Sequence, residues 1–250
     1  MMVVIEQTCS ICSHLWESPT RVVCPRCIRE IVGPPTEVIV FAAPGRDEAH
    51  ALSYASLRAS DIGENFTISE HPPGIPARDH WIATHLRAAE AKSKWVLVLE
   101  DDVLVNAHIL YNIDTWRYKH DEKSFSAGWL YAPGGYSRRD TWYTGTWDWY
   151  GTCGVLYKTA LLPGLVARAT ERMLTQNMPW DLAISWACHL DGKRLRVHHP
   201  ALVEHLNDLP SKLGNPTGGR RDSGGTFSKD WRRPAQHEHG VFDQWGRKTV

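Results

Sequence analysis

Trp95-Val96-Leu97-Val98-Leu99-Glu100-Asp101-Asp102 decides how the rest of this chain is read. The first five residues are aliphatic or aromatic with no polar alternation, which predicts a strand buried on both faces. Three acids follow at once. Carboxylates do not belong inside such a strand. They belong where it leaves the sheet, at its carboxyl end, where open α/β sheets place their ligands. Crowded there, Glu100, Asp101 and Asp102 repel one another unless a cation lies between them. Hard oxygen donors facing a cleft suit Mg²⁺ or Mn²⁺, ions that hold phosphate. The plainer alternative is a solvated strand end carrying surface acids.

Working outward, 37–43 (EVIVFAA) predicts a first strand, 48–60 a helix, 66–69 a short strand and 78–93 a second helix, all ahead of the 95–99 strand. That β-α-β-α-β order implies parallel pairing in a doubly wound sheet. Beyond the acids, 107–118 reads as a helix and 125–131 and 152–157 as strands. Residues 159–173 read as a helix whose first turn Pro163-Gly164 interrupts. A further helix at 180–190 precedes strand 194–198 and the segment 200–205.

At 250 residues the chain can bury one α/β core plus a small appendage. Net charge is zero and charged residues are 22%, so no global basic field steers the chain to nucleic acid. No apolar stretch is long enough to span a bilayer, and the N-terminus lacks the pattern of a signal peptide. The expected location is the cytoplasm, a host's cytoplasm if the chain is phage-encoded, with no membrane partner.

The front of the chain carries Cys9-x-x-Cys12 and Cys24-x-x-Cys27, separated by 11 residues. Two such knuckles deliver the four thiolates of a tetrahedral Zn²⁺ site, which with four sulfurs is closed and structural. The gap is shorter than the usual ~15–20 residues, yet 13–23 can form a hairpin. Disulfides are not expected in a cytoplasm. Residues 1–35 therefore read as a zinc ribbon ending at Gly33-Pro34-Pro35, and 36–210 as the main domain. Residues 211–250 read as a Gly-rich tail with eight Lys/Arg against four Asp/Glu. Cys153 and Cys188 read as buried thiols.

Trp142, Tyr143, Trp147, Trp149 and Tyr150 put five aromatics within nine residues among glycines. Core packing is one explanation. The other is a loop that stacks on a sugar face or a nucleobase, giving acceptor-binding roles to Trp142, Trp147 and Trp149.

With these pieces in order, the layout resembles the GT-A fold of nucleotide-sugar glycosyltransferases, a doubly wound mixed sheet. Val96–Val103 (VLVLEDDV) is similar to the Glu-first variant of the Asp-x-Asp motif in that family. Met178-Pro179-Trp180-Asp181-Leu182 resembles the segment that supplies its catalytic carboxylate. Pro200-Ala201-Leu202-Val203-Glu204-His205 resembles the Pro-Ser-Leu-Phe/Val-Gln-His ending of N-glycan-branching N-acetylglucosaminyltransferases and some bacterial sugar transferases. The likeness covers about 37–215 and is patchy; the ribbon and the tail lie outside it.

The resemblance implies a Mn²⁺ or Mg²⁺ ion held by Asp102, with Glu100 and His205, on the diphosphate of a UDP-sugar or similar donor. It gives Asp101, Arg46 and Arg78 donor-binding roles and makes Asp181 the general base of an inverting transfer. Each residue has a plainer reading: a surface histidine for His205, a helix N-cap for Asp181, ordinary surface arginines for Arg46 and Arg78. The expected activity is sugar transfer to a hydroxyl, with a hydroxymethylated DNA base favoured as acceptor by the ribbon, aromatic loop and basic tail. A surface polysaccharide or small molecule is the rival acceptor. A metal-dependent nuclease and a non-catalytic zinc-ribbon nucleic-acid-binding protein are the rival classes.

Overall fold

The structure is a computed structural model. It describes residues 5–8, 15–18, 36–116, 119, 125–131, 141–143, 151–190, 194–206, 227–232, 241–242 and 248–249. At the front, β1 (Ile5–Thr8) and β2 (Leu15–Ser18) pair antiparallel with Thr8 opposite Leu15, a hairpin whose connection contains the first CxxC. Cys9, Cys12, Cys24 and Cys27 lie outside the described residues.

The main sheet begins with β3 (Glu37–Ala42), α1 (Asp47–Ala59), β4 (Thr67–Glu70), α2 (Ala77–Ala89) and β5 (Trp95–Glu100). Both β4 and β5 pair parallel with β3, as the alternation implies. Next come β6 (Val103–Val105), α3 (Ile109–Asp114), β7 (Phe125–Trp129), β8 (Thr141–Tyr143) and β9 (Gly154–Lys158). A 3₁₀ turn at Thr159–Leu161 leads into α4 (Leu162–Gln176), followed by α5 (Trp180–Leu190), β10 (Arg194–Val197) and β11 (Val203–His205). Two short strands, β12 (Val241–Phe242) and β13 (Lys248–Thr249), pair with each other. The strand order is β4-β3-β5-β9-β7-β10-β8. β9 runs antiparallel to both β5 and β7, so the sheet is mixed.

Alternation along β5 explains the layering. Val96 and Val98 face one core, with Ile39, Phe41, Val155 and Tyr157, under α2, α4 and α5. Trp95, Leu97 and Leu99 face the other, with Val38, Val40 and Leu156, under α1, α3 and the β6–β11 ribbon. Each such side chain contributes roughly 1.5–3 kcal/mol by leaving water, which is why an uninterrupted apolar run can hold the central position. Four of the tryptophans, Trp81, Trp95, Trp116 and Trp129, are buried core residues.

Several expectations need correction. The second helix ends at Ala89, not Ser93, because the Lys92 and Ser93 amides turn away to Glu37 Oε1 at 2.8 and 3.0 Å. The helix expected at 107–118 shrinks to six residues, its start set by Asp61, which accepts from the Leu110 and Tyr111 amides at 2.9 Å each. Pro163 does not interrupt its helix; it lies in the first turn of α4, where a missing N–H costs nothing. Trp142 belongs to edge strand β8, paired with Arg196 of β10, instead of opening a loop; Trp147 and Trp149 lie outside the described residues. Part of the expected tail, 227–232, packs on the main domain. Asn106 Nδ2 donates to the carbonyls of Ser228 and Trp231 at 2.6 and 2.8 Å, and the Ala107 amide donates to Lys229 O at 2.7 Å.

Candidate functional site

The carboxyl end of β5 carries the acids as the sequence implies, and three neighbouring elements converge on it. The first is β9. Leu99 faces Gly154, and the Glu100 amide donates to Cys153 O at 3.0 Å, which makes Glu100 and Cys153 cross-strand neighbours. Thr152 Oγ1 donates to Glu100 Oε1 at 2.7 Å. The second is β11, which pairs with β6 so that His205 stands opposite Val103. Its approach is close: a Cβ on Gly154 would sit 2.8 Å from Val203 Cγ2, so glycine is what allows the ribbon to cross. His205 Nε2 reaches Asp102 Oδ2 at 3.1 Å, and the Leu206 amide donates to Asp102 O at 2.8 Å.

The third element is the β3–α1 junction. Ser53 and Ser56 clamp α1 to β6, accepting from the Val103 and Val105 amides at 2.8 and 2.9 Å. This sets the first turn of α1 over the acids. Asp101 Oδ2 accepts from the Ala43 amide at 2.5 Å and from His50 Nε2 at 2.7 Å, while Asp101 Oδ1 accepts from Arg46 Nη1 at 2.8 Å. Arg46 Nη2 pairs with Asp102. Asp101 is therefore 1% exposed and bound by three protein donors, an anchor for the loop that carries Arg46.

These contacts set the electrostatics. Burial pushes the Glu100 carboxyl up to about 7, helped by the Asp102 charge and opposed by Thr152 and His205. Burial would raise Asp102 too, but His205 and then Arg46 more than offset it and hold Asp102 below the usual carboxylate range. Three carboxyl groups thus meet one guanidinium and two imidazoles, those of His50 and His205. Asp102 is 3% exposed, and its Oδ1 has no hydrogen-bond partner among the described residues. An orphaned, buried, ionised oxygen is costly unless a cation meets it. Ligand atoms of Glu100, His205 and Cys153 lie within 4.8 Å of one another at the same place. The donor set fits a divalent ion.

Asp181 is linked to this cluster through the chain at Gly151. It lies within the first turn of α5, not at an N-cap, and its Oδ1 accepts from the Leu182 amide at 2.9 Å. Its Oδ2 accepts from the Gly151 amide at 3.2 Å. Gly151 has φ +95, a conformation other residues avoid, and it precedes Thr152, the partner of Glu100. Glu100 and Asp181 are thus held by one three-residue stretch. Arg78 is not drawn in: its described contact is with Asp79 at 3.3 Å. Sequence reading missed His50, Thr152 and the proximity of Cys153. Only His50 had a signal, one helical turn after Arg46 and so on the same face.

A cavity of about 700 Å³ lies elsewhere, lined by Glu37, Glu64, Arg87 and Glu90 at the amino-terminal end of β3 and β4. Ligands of open α/β sheets sit at the carboxyl ends of strands, so the acids, not this cavity, mark the candidate site. Among the described residues no helix is long and apolar enough to cross a membrane.

No family model matches the chain, and no curated protein does. Among solved structures it is similar to residues 1–349 of S. aureus TarS, at 13% identity and TM-score 0.46, covering 66% of this chain and 58% of that one. A glycosyltransferase involved in glycosylation of the major capsid of PBCV-1 aligns at 15% identity and TM-score 0.45, over 75% of this chain and 97% of that one. The galactosyltransferase LgtC, solved with donor and acceptor sugar analogs, aligns at 12% identity and TM-score 0.40, over 65% and 73%. With TM-scores this low, these likenesses assign neither activity nor substrate, and the reading below rests on the residues themselves.

Proposed function

We propose that the chain is a metal-dependent glycosyltransferase that moves a sugar from a nucleotide-sugar donor to a hydroxyl acceptor. The observation that supports this most is convergence. Three segments far apart in sequence, Glu100–Asp102, Thr152–Cys153 and Val203–His205, meet around one strand end where Asp102 Oδ1 is buried without a partner among the described residues, and Asp181 is tied to the second of them through Gly151.

Asp102, Glu100 and His205 would hold a divalent ion, which when bound supplies Lewis-acid neutralisation of a departing diphosphate. Arg46, kept in place by Asp101 and already paired with Asp102, adds a fixed positive charge where phosphate oxygens would gather. Asp101 positions that arginine through the contacts described above. Asp181, held by Gly151, takes the proton from the acceptor hydroxyl. A UDP-sugar suits the family resemblance. The hydroxyl of a hydroxymethylated DNA base is the acceptor we favour, on the strength of the CxxC pairs, the aromatic stretch and the basic tail. The CxxC pairs would hold a structural Zn²⁺.

Incubation with a panel of sugar nucleotides and Mn²⁺ tests the class: nucleoside diphosphate should be released from one of them. No release from any donor would sink the reading. Labelled sugar should then pass to duplexes containing 5-hydroxymethylcytosine or 5-hydroxymethyluracil and not to unmodified DNA; transfer to saccharides alone would reject the DNA acceptor. Asp181→Asn should lower turnover by roughly 10²–10⁴-fold with donor affinity nearly unchanged, and near-normal turnover would leave Asp181 a structural role only.

A further inference from the structure

We infer that Cys153 is a sulfur ligand of the ion site, so that the site selects a borderline-soft divalent ion of the Zn²⁺ and Co²⁺ kind over Mg²⁺. This rests on the metal site of the reading above, not on sugar transfer. The placement of Cys153 follows from backbone register. β9 runs antiparallel beside β5, and the Glu100 amide bonds to the Cys153 carbonyl, so the two side chains share one edge of the strand end. Cys153 Sγ, a Glu100 carboxylate oxygen and a His205 ring nitrogen all lie within 4.8 Å of one another. Ligands of one tetrahedral ion at bonds of about 2.0–2.3 Å lie about 3.3–3.8 Å apart, so the three groups draw together when the ion binds. Asp102, bonded to His205 at 3.1 Å, stands next to this set but outside the group of mutually close ligand atoms.

An oxygen, nitrogen and sulfur set is the wrong cage for Mg²⁺, which demands octahedral oxygen and keeps its waters. It suits Zn²⁺ and its neighbours, for which thiolate and imidazole are preferred ligands. Binding replaces the S–H bond with a metal–sulfur bond and releases the proton to solvent.

The test compares the full chain with Cys153→Ser, both stripped of metal and reloaded with Co²⁺. The four N-terminal cysteines absorb in both proteins and cancel in the difference spectrum. A sulfur-to-cobalt charge-transfer band in the near ultraviolet should remain in the difference, and Cys153→Ala should give the same difference. Zn²⁺ affinity at this site should fall by at least about 10–100-fold in either variant, while Mg²⁺ affinity stays within about threefold. In the unaltered chain, Zn²⁺ should shield Cys153 from a small alkylating reagent, read by peptide mass mapping, and equal Mg²⁺ should not. This last measurement needs no variant to fold. A flat difference spectrum, or equal alkylation with either ion, overturns the inference while leaving an oxygen-bound ion and the transferase reading intact. Failure of the unaltered chain to bind any divalent ion at Glu100 and His205 overturns both.

Discussion

Two buried ionic clusters in this molecule are built on opposite plans. At the ring of Trp95, Lys119 pairs with Asp114, an anion met by a buried cation. Lys119 is 2% exposed, and its amine lies 5.6 Å from the ring centroid. Burial pulls the lysine's pKa down, the charge of Asp114 opposes that, and the charge of nearby Lys94 adds to the downward pull. At the end of β5, Arg46 faces Asp101 and Asp102 with Glu100 beside them, and Asp102 Oδ1 is left over. A cluster that serves only the fold comes out balanced. One that retains surplus charge of one sign keeps a place for something from outside.

Removing a charge should therefore have opposite consequences at the two places. The largest effect expected is on turnover. Asp102→Ala should abolish Mn²⁺-stimulated nucleoside diphosphate release while changing unfolding free energy by no more than about 1 kcal/mol, since it relieves repulsion as well as breaking pairs. A variant that is active in EDTA would erase the contrast.

Next in size, Lys119→Met should cost about 3–5 kcal/mol in urea unfolding, because it breaks a buried ion pair by removing one partner, with turnover per folded molecule unchanged. A neutral result would mean that Asp114 is satisfied without Lys119.

A third prediction separates acid sensitivity from both clusters. His85 is buried against Trp81, its Nδ1 donating to the Trp81 carbonyl at 2.9 Å, and burial lowers its pKa to about 4. The folded state keeps it neutral, so its contribution is complete above the unfolded value of about 6.5 and is lost as pH falls toward about 4, on the order of 3 kcal/mol. Unfolding curves across that window should show the loss, and His85→Gln should flatten it. An unchanged slope in the variant would move the acid sensitivity to the charged clusters.

Smallest, Gly154→Ala should push against Val203, costing roughly 1–3 kcal/mol as overpacking. It should also weaken divalent-ion binding by displacing His205, measured by titration calorimetry. Unaltered binding would show that β11 can retreat without carrying His205 away.

What the sequence disclosed follows from how local each signal was. The apolar run at 95–99 and the alternation before it contain their own evidence, so the parallel sense of β3, β4 and β5 was legible, though the order β4-β3-β5 was not. The later half was not, because β9 reaches β5 by an antiparallel return that no local pattern encodes. β6 is three residues long and exists through its pairing with β11 and its bonds to Ser53 and Ser56. The acids were legible as a group and not as individuals: Asp101 is occupied by Ala43, Arg46 and His50, and Cys153 looked like any buried thiol. Those distinctions arise from contacts some fifty residues apart.

The clasp formed by 227–232 gives the molecule a timetable. Asn106 is fully buried and spends its amide on carbonyls 122 and 125 residues downstream. Asn112 turns to one of the same carbonyls at 3.0 Å. During synthesis β3, β4 and β5 can assemble while the ribosome is still working through the second half, since domains fold as chain becomes available and distant pairings wait for loop closure. β6 cannot: it needs β11 on one side, and the turn after it needs the chain past 231. The strand end that carries the acids is thus exposed early and roofed late, with its carboxylates in water until β11 emerges. A ribosome that stopped before residue 203 would release a sheet with its charged end uncovered.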